Sequence, residues 1–349
     1  MTPIIHSELL RRLPKAELHC HLDGSVRPET LIELGKEYKQ AMPRDTADAL
    51  RDYMRVDDAR HLEDYLSRFD VTLSVMQTSD ALERIAYELS MDAARDGVWY
   101  IEVRYAPVLN VRGALSFGEA VEAPLRGLER AQRDGGAMAR VIICGLRHLT
   151  PQVSMELAQL AVGYKHRGVV GFDLAGGEFG NPASAHAAAF TYAREHDLAC
   201  TCHAGEGADA ASVRQAVHSC GADRIGHATR LIEDESLTQY VNDRRIALEI
   251  CLTSNVQTHA VESYEEHPLR RYFDRGMNVV LNTDNRLMSG TTLTDEFMHA
   301  AGTLDFTFDE LCEMAINGFA SAFLPWQERE VLVKTARAEM AMLRERGAA

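Results

Sequence analysis

The chain has 349 residues, of which 46% are hydrophobic, and a formal net charge of −15 at pH 7. This composition allows a large buried core. We expect no nucleic-acid partner, because phosphates are bound by clustered Lys and Arg and the chain has no basic stripe. No stretch approaches about 18 uncharged apolar residues, so we expect no membrane span. The N-terminal segment lacks the apolar core of a signal peptide and the seven cysteines are scattered, so we expect a reduced, cytoplasmic protein.

Eight apolar segments of strand length recur along the chain, at residues 16–21, 99–106, 139–146, 169–174, 198–203, 224–227, 246–251 and 278–283. Most are continuous runs rich in Val and Ile, which is typical of strands buried on both faces. Helical patterns lie between them, for example at 29–39, 80–95, 118–133 and 183–195. The alternation predicts an α/β fold with a parallel sheet, and eight units predict a (β/α)8 TIM barrel. A doubly wound open sheet is less favoured, because no Gly-rich phosphate turn follows the first segment.

The connection between the first two segments is unusually long. Within it, residues 40–80 hold charged turns and an amphipathic stretch, HLEDYLSRFDVTLSVM. We predict a single domain over 1–349, with a helical insertion at about 30–95 that lies over the barrel mouth. The sequence leaves open whether this insertion only packs there or acts as a lid.

Polar side chains stand at the ends of several predicted strands. His19 and His21 are two residues apart in the first strand, so their side chains share a face. His203 ends the fifth strand, His227 the sixth and Asp284 the eighth, and barrel active sites form at these carboxyl ends. Three histidines and one aspartate suit Zn²⁺ or a similar divalent ion, since calcium and magnesium prefer oxygen ligands alone.

A histidine on its own at a strand end is more often a hydrogen-bonded core residue than a ligand. We therefore assign no function to a second group of histidines, namely His6, His61, His148, His186 and His267.

Five motifs together resemble, in this order, those of the adenosine deaminase family of metal-dependent amidohydrolases. They are PKAELHCHLDGS, GFDLAGGE, HAGEG, DRIGHAT and NTDN. The resemblance implies one zinc ion per chain, with four ligands: His19, His21, His203 and Asp284. It also implies that the zinc lowers the pKa of a water to about 7, so that hydroxide attacks C6 of an adenine ring.

The resemblance further implies the catalytic residues. Glu206 resembles the acid that protonates ring N1, and His227 the histidine that orients and activates the water. Asp284 would also hold the attacking hydroxide. The implied reaction converts adenosine and 2′-deoxyadenosine to inosine and 2′-deoxyinosine with release of ammonia.

The substrate-binding residues that the resemblance implies are His21, Asp23, Gly176, Asn285, Tyr65 and Phe69. The backbone N–H of Gly176 would contact ring N3, and Asp23 the ribose hydroxyls. Tyr65 and Phe69, four residues apart, fall where relatives carry an aromatic gate, although core packing explains this pair equally well.

Two positions depart from the family pattern. Asn285 stands where an aspartate is common, facing ring N7, and its amide can donate to N7 without a change of protonation. Leu252 stands where proline is frequent, which predicts only a local backbone effect. The Asp23 carboxylate would repel a 5′-phosphate and favours a nucleoside over adenine, but a modified nucleoside such as 6-amino-6-deoxyfutalosine remains an alternative, as does adenine itself.

Two rival hypotheses remain at this point. A two-metal amidohydrolase would need a bridging lysine or glutamate after the fourth strand, where Glu178 is the nearby candidate. A barrel without catalytic activity would only bind nucleosides. From the family resemblance, the expected partner is a small purine nucleoside. The sequence does not predict the oligomeric state.

Overall fold

The computed structural model of the chain describes residues 4–56 and 68–347. Within these ranges, eight parallel strands pair in sequence order around a barrel. They are β1 Lys15–His21, β2 Val98–Tyr105, β3 Met138–Leu146, β4 Val169–Ala175, β5 Ala199–Ala204, β6 Arg224–His227, β7 Ala247–Ile250 and β8 Val279–Leu281. The predicted (β/α)8 barrel is confirmed, with each strand within a few residues of its predicted position.

Helices surround the barrel. They are α1 Ser7–Arg12, α2 Pro28–Tyr38, α3 Ala47–Met54, α4 Phe69–Leu73, α5 Ser79–Arg95, α6 Phe117–Arg133, α7 Pro151–Gly163, α8 Ala187–Glu195, α9 Ala210–His218, α10 Glu235–Asp243, α11 Leu252–Gln257, α12 Leu269–Asp274, α13 Leu293–Thr303, α14 Phe308–Ser321 and α15 Trp326–Gly347. The predicted helix at 183–195 is a 3₁₀ turn, Ala183–His186, followed by α8.

The long connection after β1 contains helices α2 to α5 in its described part. Helix α5 begins at a cap in which Thr78 accepts a hydrogen bond from Ala81 N–H, and it buries Leu82 and Leu89. It packs closely on α6, because a Cβ on Gly127 would lie 2.1 Å from the backbone oxygen of Glu83. Residues 57–67, which include the first seven residues of the amphipathic stretch, lie outside the described residues.

The seam between β8 and β1 is closed by a few hydrogen bonds. The backbone N–H of His21 donates to Asp284 O at 2.7 Å, and that of Asp284 donates to His19 O at 3.0 Å. The Asn282 side chain extends this pairing by accepting from Leu18 N–H at 2.7 Å. Three residues predicted as metal ligands therefore meet at the seam.

The lower part of the barrel interior holds buried, paired charges. Glu249 accepts from Arg104 Nη2 at 2.8 Å and from Arg224 Nε at 2.6 Å. Arg104 also pairs with Asp173 at 3.0 Å, and Arg224 with Glu102 at 2.5 Å. All five side chains are almost completely buried, so each charge depends on its partners for stabilisation.

Within the described ranges, no helix is both long enough and apolar enough to cross a membrane.

Candidate active site

Four side chains converge at the carboxyl end of the barrel. Each of His19, His21, His203 and Asp284 offers a ligand atom, and these atoms all lie within 4.8 Å of one another. The Nε2 atoms of His21 and His203 are 3.1 Å apart, and Asp284 Oδ1 lies 3.4 Å from Nε2 of both His19 and His21. The four residues come from strands β1 and β5 and from the segment after β8, as the strand-end argument predicts.

Carboxylates on the far side of the rings determine which ring nitrogen faces the cluster. His19 Nδ1 lies 2.8 Å from Glu249, and His203 Nδ1 lies 3.1 Å from Asp173. Each carboxylate accepts a hydrogen bond from the Nδ1–H of its ring, so the lone pair of Nε2 points into the cluster in both rings.

These residues fit a zinc ion. His19 Nε2 is buried and has no hydrogen-bond partner among the described residues, although an imidazole nitrogen inside a protein ordinarily has one. Three imidazoles and one carboxylate are also a donor set that zinc prefers.

Two of the predicted catalytic residues stand directly beside this cluster. Glu206 Oε2 lies 3.5 Å from His227 Nε2, and both groups lie within 4.8 Å of Asp284. Burial, together with the Asp284 and Glu178 carboxylates, raises the pKa of Glu206 well above its usual range. Burial and the neighbouring ring of His19 lower the pKa of His227. Burial therefore favours the protonated form of the Glu206 carboxyl and the uncharged form of the His227 imidazole.

The backbone also directs these side chains. His227 and Asp284 have φ angles of 64° and 61°, in the left-handed region that non-glycine residues rarely adopt. Such strain is of order 1–3 kcal/mol per residue and persists where surrounding contacts enforce it.

Helix α11 and the residue that follows it hydrogen-bond to three side chains of the site: Asp284, His227 and Glu206. Ser254 Oγ donates to Asp284 Oδ2 at 2.6 Å, and Asn255 Nδ2 lies 3.0 Å from His227 Nδ1. Thr258 Oγ1 donates to Glu206 Oε1 at 3.0 Å. Leu252, the departure from the family pattern, is the first residue of this helix. Proline is also favoured at that position, so the predicted local effect fits the helix start.

A cavity of about 250 Å³ opens beside the cluster, and the predicted substrate residues outside the undescribed segment line it. Asp23 Oδ1 is buried without a hydrogen-bond partner in the described part of the chain, and burial raises the pKa of this carboxyl to about 7. Gly176 has a φ of 93°, which explains why a glycine stands there.

The glycine of the first motif makes room for Asn285. A Cβ on Gly24 would lie 1.7 Å from Asn285 Oδ1, so the two side chains could not coexist in this arrangement. Asn285 is 3% exposed and lines the cavity, and its Oδ1 has no hydrogen-bond partner within residues 4–56 and 68–347.

The predicted aromatic pair is only half described. Phe69 begins α4 and lines the cavity, whereas Tyr65 lies outside the described residues. Helix α4 therefore brings at least one side chain of the insertion to the cavity.

Several residues that the sequence argument passed over belong to this region. His148 is exposed and lines the cavity, so its interpretation as a core residue was wrong. The strand-end rule would have found it, because it follows β3 by two residues. His186 and His267 are buried and hydrogen-bonded, as expected. Glu178 does not face the cluster but accepts from the backbone N–H groups of residues 205–207.

Comparison with known proteins places this geometry in context. The profile of the family described as Adenosine deaminase matches residues 14–338. Adenosine deaminase 1 of Streptomyces coelicolor is 42% identical over 342 residues, covering 93% of this chain and 86% of that protein. The adenosine deaminase of Mycobacterium avium is 38% identical, covering 95% and 96%. A probable adenosine deaminase of Dictyostelium discoideum is 41% identical, but the chain spans only 41% of its length.

Solved structures agree with the fold. An adenine deaminase from Arthrobacter aurescens has a TM-score of 0.87 at 26% identity, covering 93% of this chain and 98% of that one. An amidohydrolase from Burkholderia ambifaria with bound zinc has a TM-score of 0.88 at 26% identity, covering 98% and 94%. The N6-methyl-AMP deaminase of Arabidopsis thaliana has a TM-score of 0.83 at 26% identity, covering 95% and 98%. With the family profile matched over most of its length, the chain belongs to the adenosine deaminase family.

Proposed function

We propose that the chain is a zinc-dependent hydrolase that converts adenosine and 2′-deoxyadenosine to inosine and 2′-deoxyinosine with release of ammonia. The observation that carries this proposal is the convergence of three histidines and an aspartate beside a buried carboxyl group. The chain is also 38–42% identical to curated adenosine deaminases over most of its length.

We assign His19, His21, His203 and Asp284 as the residues that would hold zinc. When bound, zinc supplies Lewis-acid activation of the water that hydrolysis consumes. The carboxylates of Glu249 and Asp173 orient two of the imidazoles, which supports the assignment.

We assign Glu206 as the acid that protonates ring N1. Protonation of N1 reduces the electron density of the ring and makes C6 a better electrophile. Burial raises the pKa of Glu206, which favours the protonated carboxyl that this role needs, and Thr258 fixes one carboxyl oxygen. Positioned proton transfer of this kind is worth about 10²–10⁴-fold in rate.

We assign His227 and Asp284 as the residues that hold the second reactant, the attacking water. His227 Nε2 and the Asp284 carboxylate both border the cavity near Glu206, so water held between them faces the same ring carbon. Holding the water at C6 and the acid at N1 of the same ring lowers the entropy cost of the step.

Purine recognition falls to residues on the cavity wall. The unpartnered oxygen of Asp23 is a suitable acceptor for ribose hydroxyls. Within the described part of the chain, the Gly176 N–H donates to no other group, which leaves it free to donate to N3. The Asn285 amide donates to N7, His21 borders the ring, and Phe69 covers the cavity from the insertion.

The substrate is a nucleoside rather than a nucleotide or a free base in this proposal. The solved relatives at 26–27% identity act on different purines, so overall fold does not select among them. The buried carboxyl of Asp23 does discriminate, because it disfavours a nearby phosphate and offers a free acceptor to a sugar.

The test is ammonia release by the zinc-loaded chain from adenosine, 2′-deoxyadenosine, adenine and AMP, with a chelator-treated control. We expect fast, chelator-sensitive release from the two nucleosides. Dominant release from adenine or AMP would refute the assignment of Asp23. Slow release from all four would point to a modified nucleoside such as 6-amino-6-deoxyfutalosine, and no release from a broad purine panel would indicate a barrel that only binds.

We also propose that the chain functions in the cytoplasm, as one metal-dependent deaminase domain. All seven cysteines are buried free thiols, a state that a reducing compartment maintains.

A further inference from the structure

Histidine 267 is the starting point of a hydrogen-bond series that ends in the active site. Its Nδ1 lies 3.0 Å from the backbone N–H of Leu269. A backbone N–H can only donate, so Nδ1 must accept and carries no proton. Burial lowers the pKa of His267 to about 3, so the ring is neutral and its proton is on Nε2.

The protonated nitrogen of His267 donates its hydrogen bond to Asn255. His267 Nε2 lies 3.2 Å from Asn255 Oδ1, so the ring donates to the amide oxygen. The amide nitrogen is thereby directed to the opposite side, where it lies 3.0 Å from His227 Nδ1. The orientation of the Asn255 amide is therefore set by a donor that cannot reverse its role.

The amide nitrogen also can only donate, which determines the state of His227. Nδ1 of His227 accepts from Asn255 and carries no proton, so the proton of the neutral ring is on Nε2. That atom lies 3.5 Å from Glu206 Oε2 and borders the cavity.

We propose that Asn255 and His267 are positioning residues that fix the proton of His227 on Nε2, so that His227 donates a hydrogen bond to the attacking oxygen and does not act as its base. This inference rests on the proposed function, which places the attacking water at His227. The proton that the water releases then passes to a carboxylate, either Asp284 or Glu206 once it has given its own proton to N1, and both lie within 4.8 Å of His227.

The direct test is a measurement of the His227 tautomer in the zinc-loaded chain. Histidine is labelled with ¹⁵N, and long-range ¹H–¹⁵N correlation spectra identify the ring signals that disappear in His227→Gln. We expect a protonated Nε2 and an unprotonated Nδ1. A protonated Nδ1 with an unprotonated Nε2, or a mixture of both tautomers, would overturn the proposal.

Variants connect the tautomer to rate. Asn255→Leu removes the donor to Nδ1, and we expect mixed tautomers and a loss of about 10²-fold in kcat with little change in KM, since a wrong histidine tautomer costs up to about 10⁴-fold in a serine protease. His267→Gln retains a donor to Asn255 Oδ1, so we expect the parent spectrum and kcat within about threefold of the parent value. An equal loss in both variants with an unchanged spectrum would overturn the proposal in favour of a packing role.

A matched control separates this effect from general damage to the core. His186 is also buried and hydrogen-bonded, to Ser154 Oγ at 2.8 Å, but it does not contact Asn255 or His227. His186→Gln is expected to leave the His227 spectrum unchanged. Because the spectrum needs no turnover, the expected tautomer in a chain that releases no ammonia would refute only the proposed function, whereas turnover with the proton on Nδ1 would refute only this inference.

Discussion

The two levels of the barrel interior use buried polar groups differently. At the lower level, the charges of Arg104, Arg224 and Glu249 are joined to one another and to further carboxylates. At the upper level, His19 Nε2 and Asp23 Oδ1 are buried with no hydrogen-bond partner among the described residues. An unpaired buried polar group costs about 1–3 kcal/mol, so such groups persist only where something else recovers the cost.

This difference separates two functions within one core. The lower charges contribute to the folded state and position the rings above them, whereas the upper groups are the ones that we propose to bind a metal ion and a purine. Changes at the upper level should therefore alter rate and binding, and changes at the lower level should alter stability.

The largest effect is expected at the upper level, with Glu206→Gln. The amide cannot protonate N1, so kcat for adenosine should fall by about 10²–10⁴-fold while the zinc content stays at one per chain. The free energy of unfolding should not fall, because the glutamine amide is neutral and avoids the cost of burying an ionisable carboxyl group. Steady-state kinetics, metal analysis and urea unfolding check these three expectations, and parent-like turnover would remove Glu206 from the role of acid.

At the lower level, Glu249→Leu leaves Arg104 and Arg224 without their shared partner. We expect the free energy of unfolding to fall by about 3–5 kcal/mol, because an uncompensated buried charge is strongly destabilising. His19 also loses the acceptor at its Nδ1, so zinc affinity should decrease by about 10–100-fold. Denaturant unfolding and metal competition measure both effects, and a variant with parent stability would contradict the division into two levels.

Glu296 is a buried carboxyl that, unlike Glu249, is hydrogen-bonded by hydroxyl groups and not by arginines. Thr253 and Thr291 donate to it, and burial raises its pKa from 4.5 to about 7. Between these pH values the folded chain binds a proton that the unfolded chain has lost, so stability decreases as the pH rises, by an amount on the order of 3 kcal/mol.

Glu296→Gln removes this titration and retains a hydrogen-bond acceptor for Thr253. Unfolding free energies at pH 5 and pH 7.5 should therefore differ less in the variant than in the parent chain. Parallel pH profiles of the two proteins would show that Glu296 does not titrate in this window.

The smallest effect is expected for Asn285→Ala. Loss of one hydrogen bond to N7 should lower kcat/KM by about tenfold, chiefly through KM. Asn285→Asp is the matched comparison, since a carboxyl must be protonated to donate and its kcat/KM should decline as the pH rises. An unchanged kcat/KM in the alanine variant would exclude the contact with N7.

The strands and the convergence of polar residues could be predicted because they depend on local pattern. Continuous apolar runs mark buried parallel strands, and the carboxyl ends of such strands meet at one end of a barrel. His19, His203 and Asp284 are far apart in sequence, yet this rule brought them together. The resemblance to the family is confirmed, and so is the barrel.

The supporting contacts could not be predicted in this way. Glu249 and Asp173 lie inside apolar strand segments, and nothing local indicates that their partners are imidazoles on other strands. Asn255 and His267 follow the seventh strand, and their roles depend on which atom of each side chain faces which neighbour. Such contacts are set by tertiary packing, which periodicity does not encode.

The seam between β8 and β1 has a consequence for synthesis of the chain. The two backbone hydrogen bonds that Asp284 makes there, to His19 and His21, join residues from opposite ends of the sequence. A growing chain has the two histidines early but acquires the aspartate only after nearly all of the barrel has emerged. The full set of four proposed ligands is therefore present only after ring closure, so retention of the ion would report that the last strand has docked against the first.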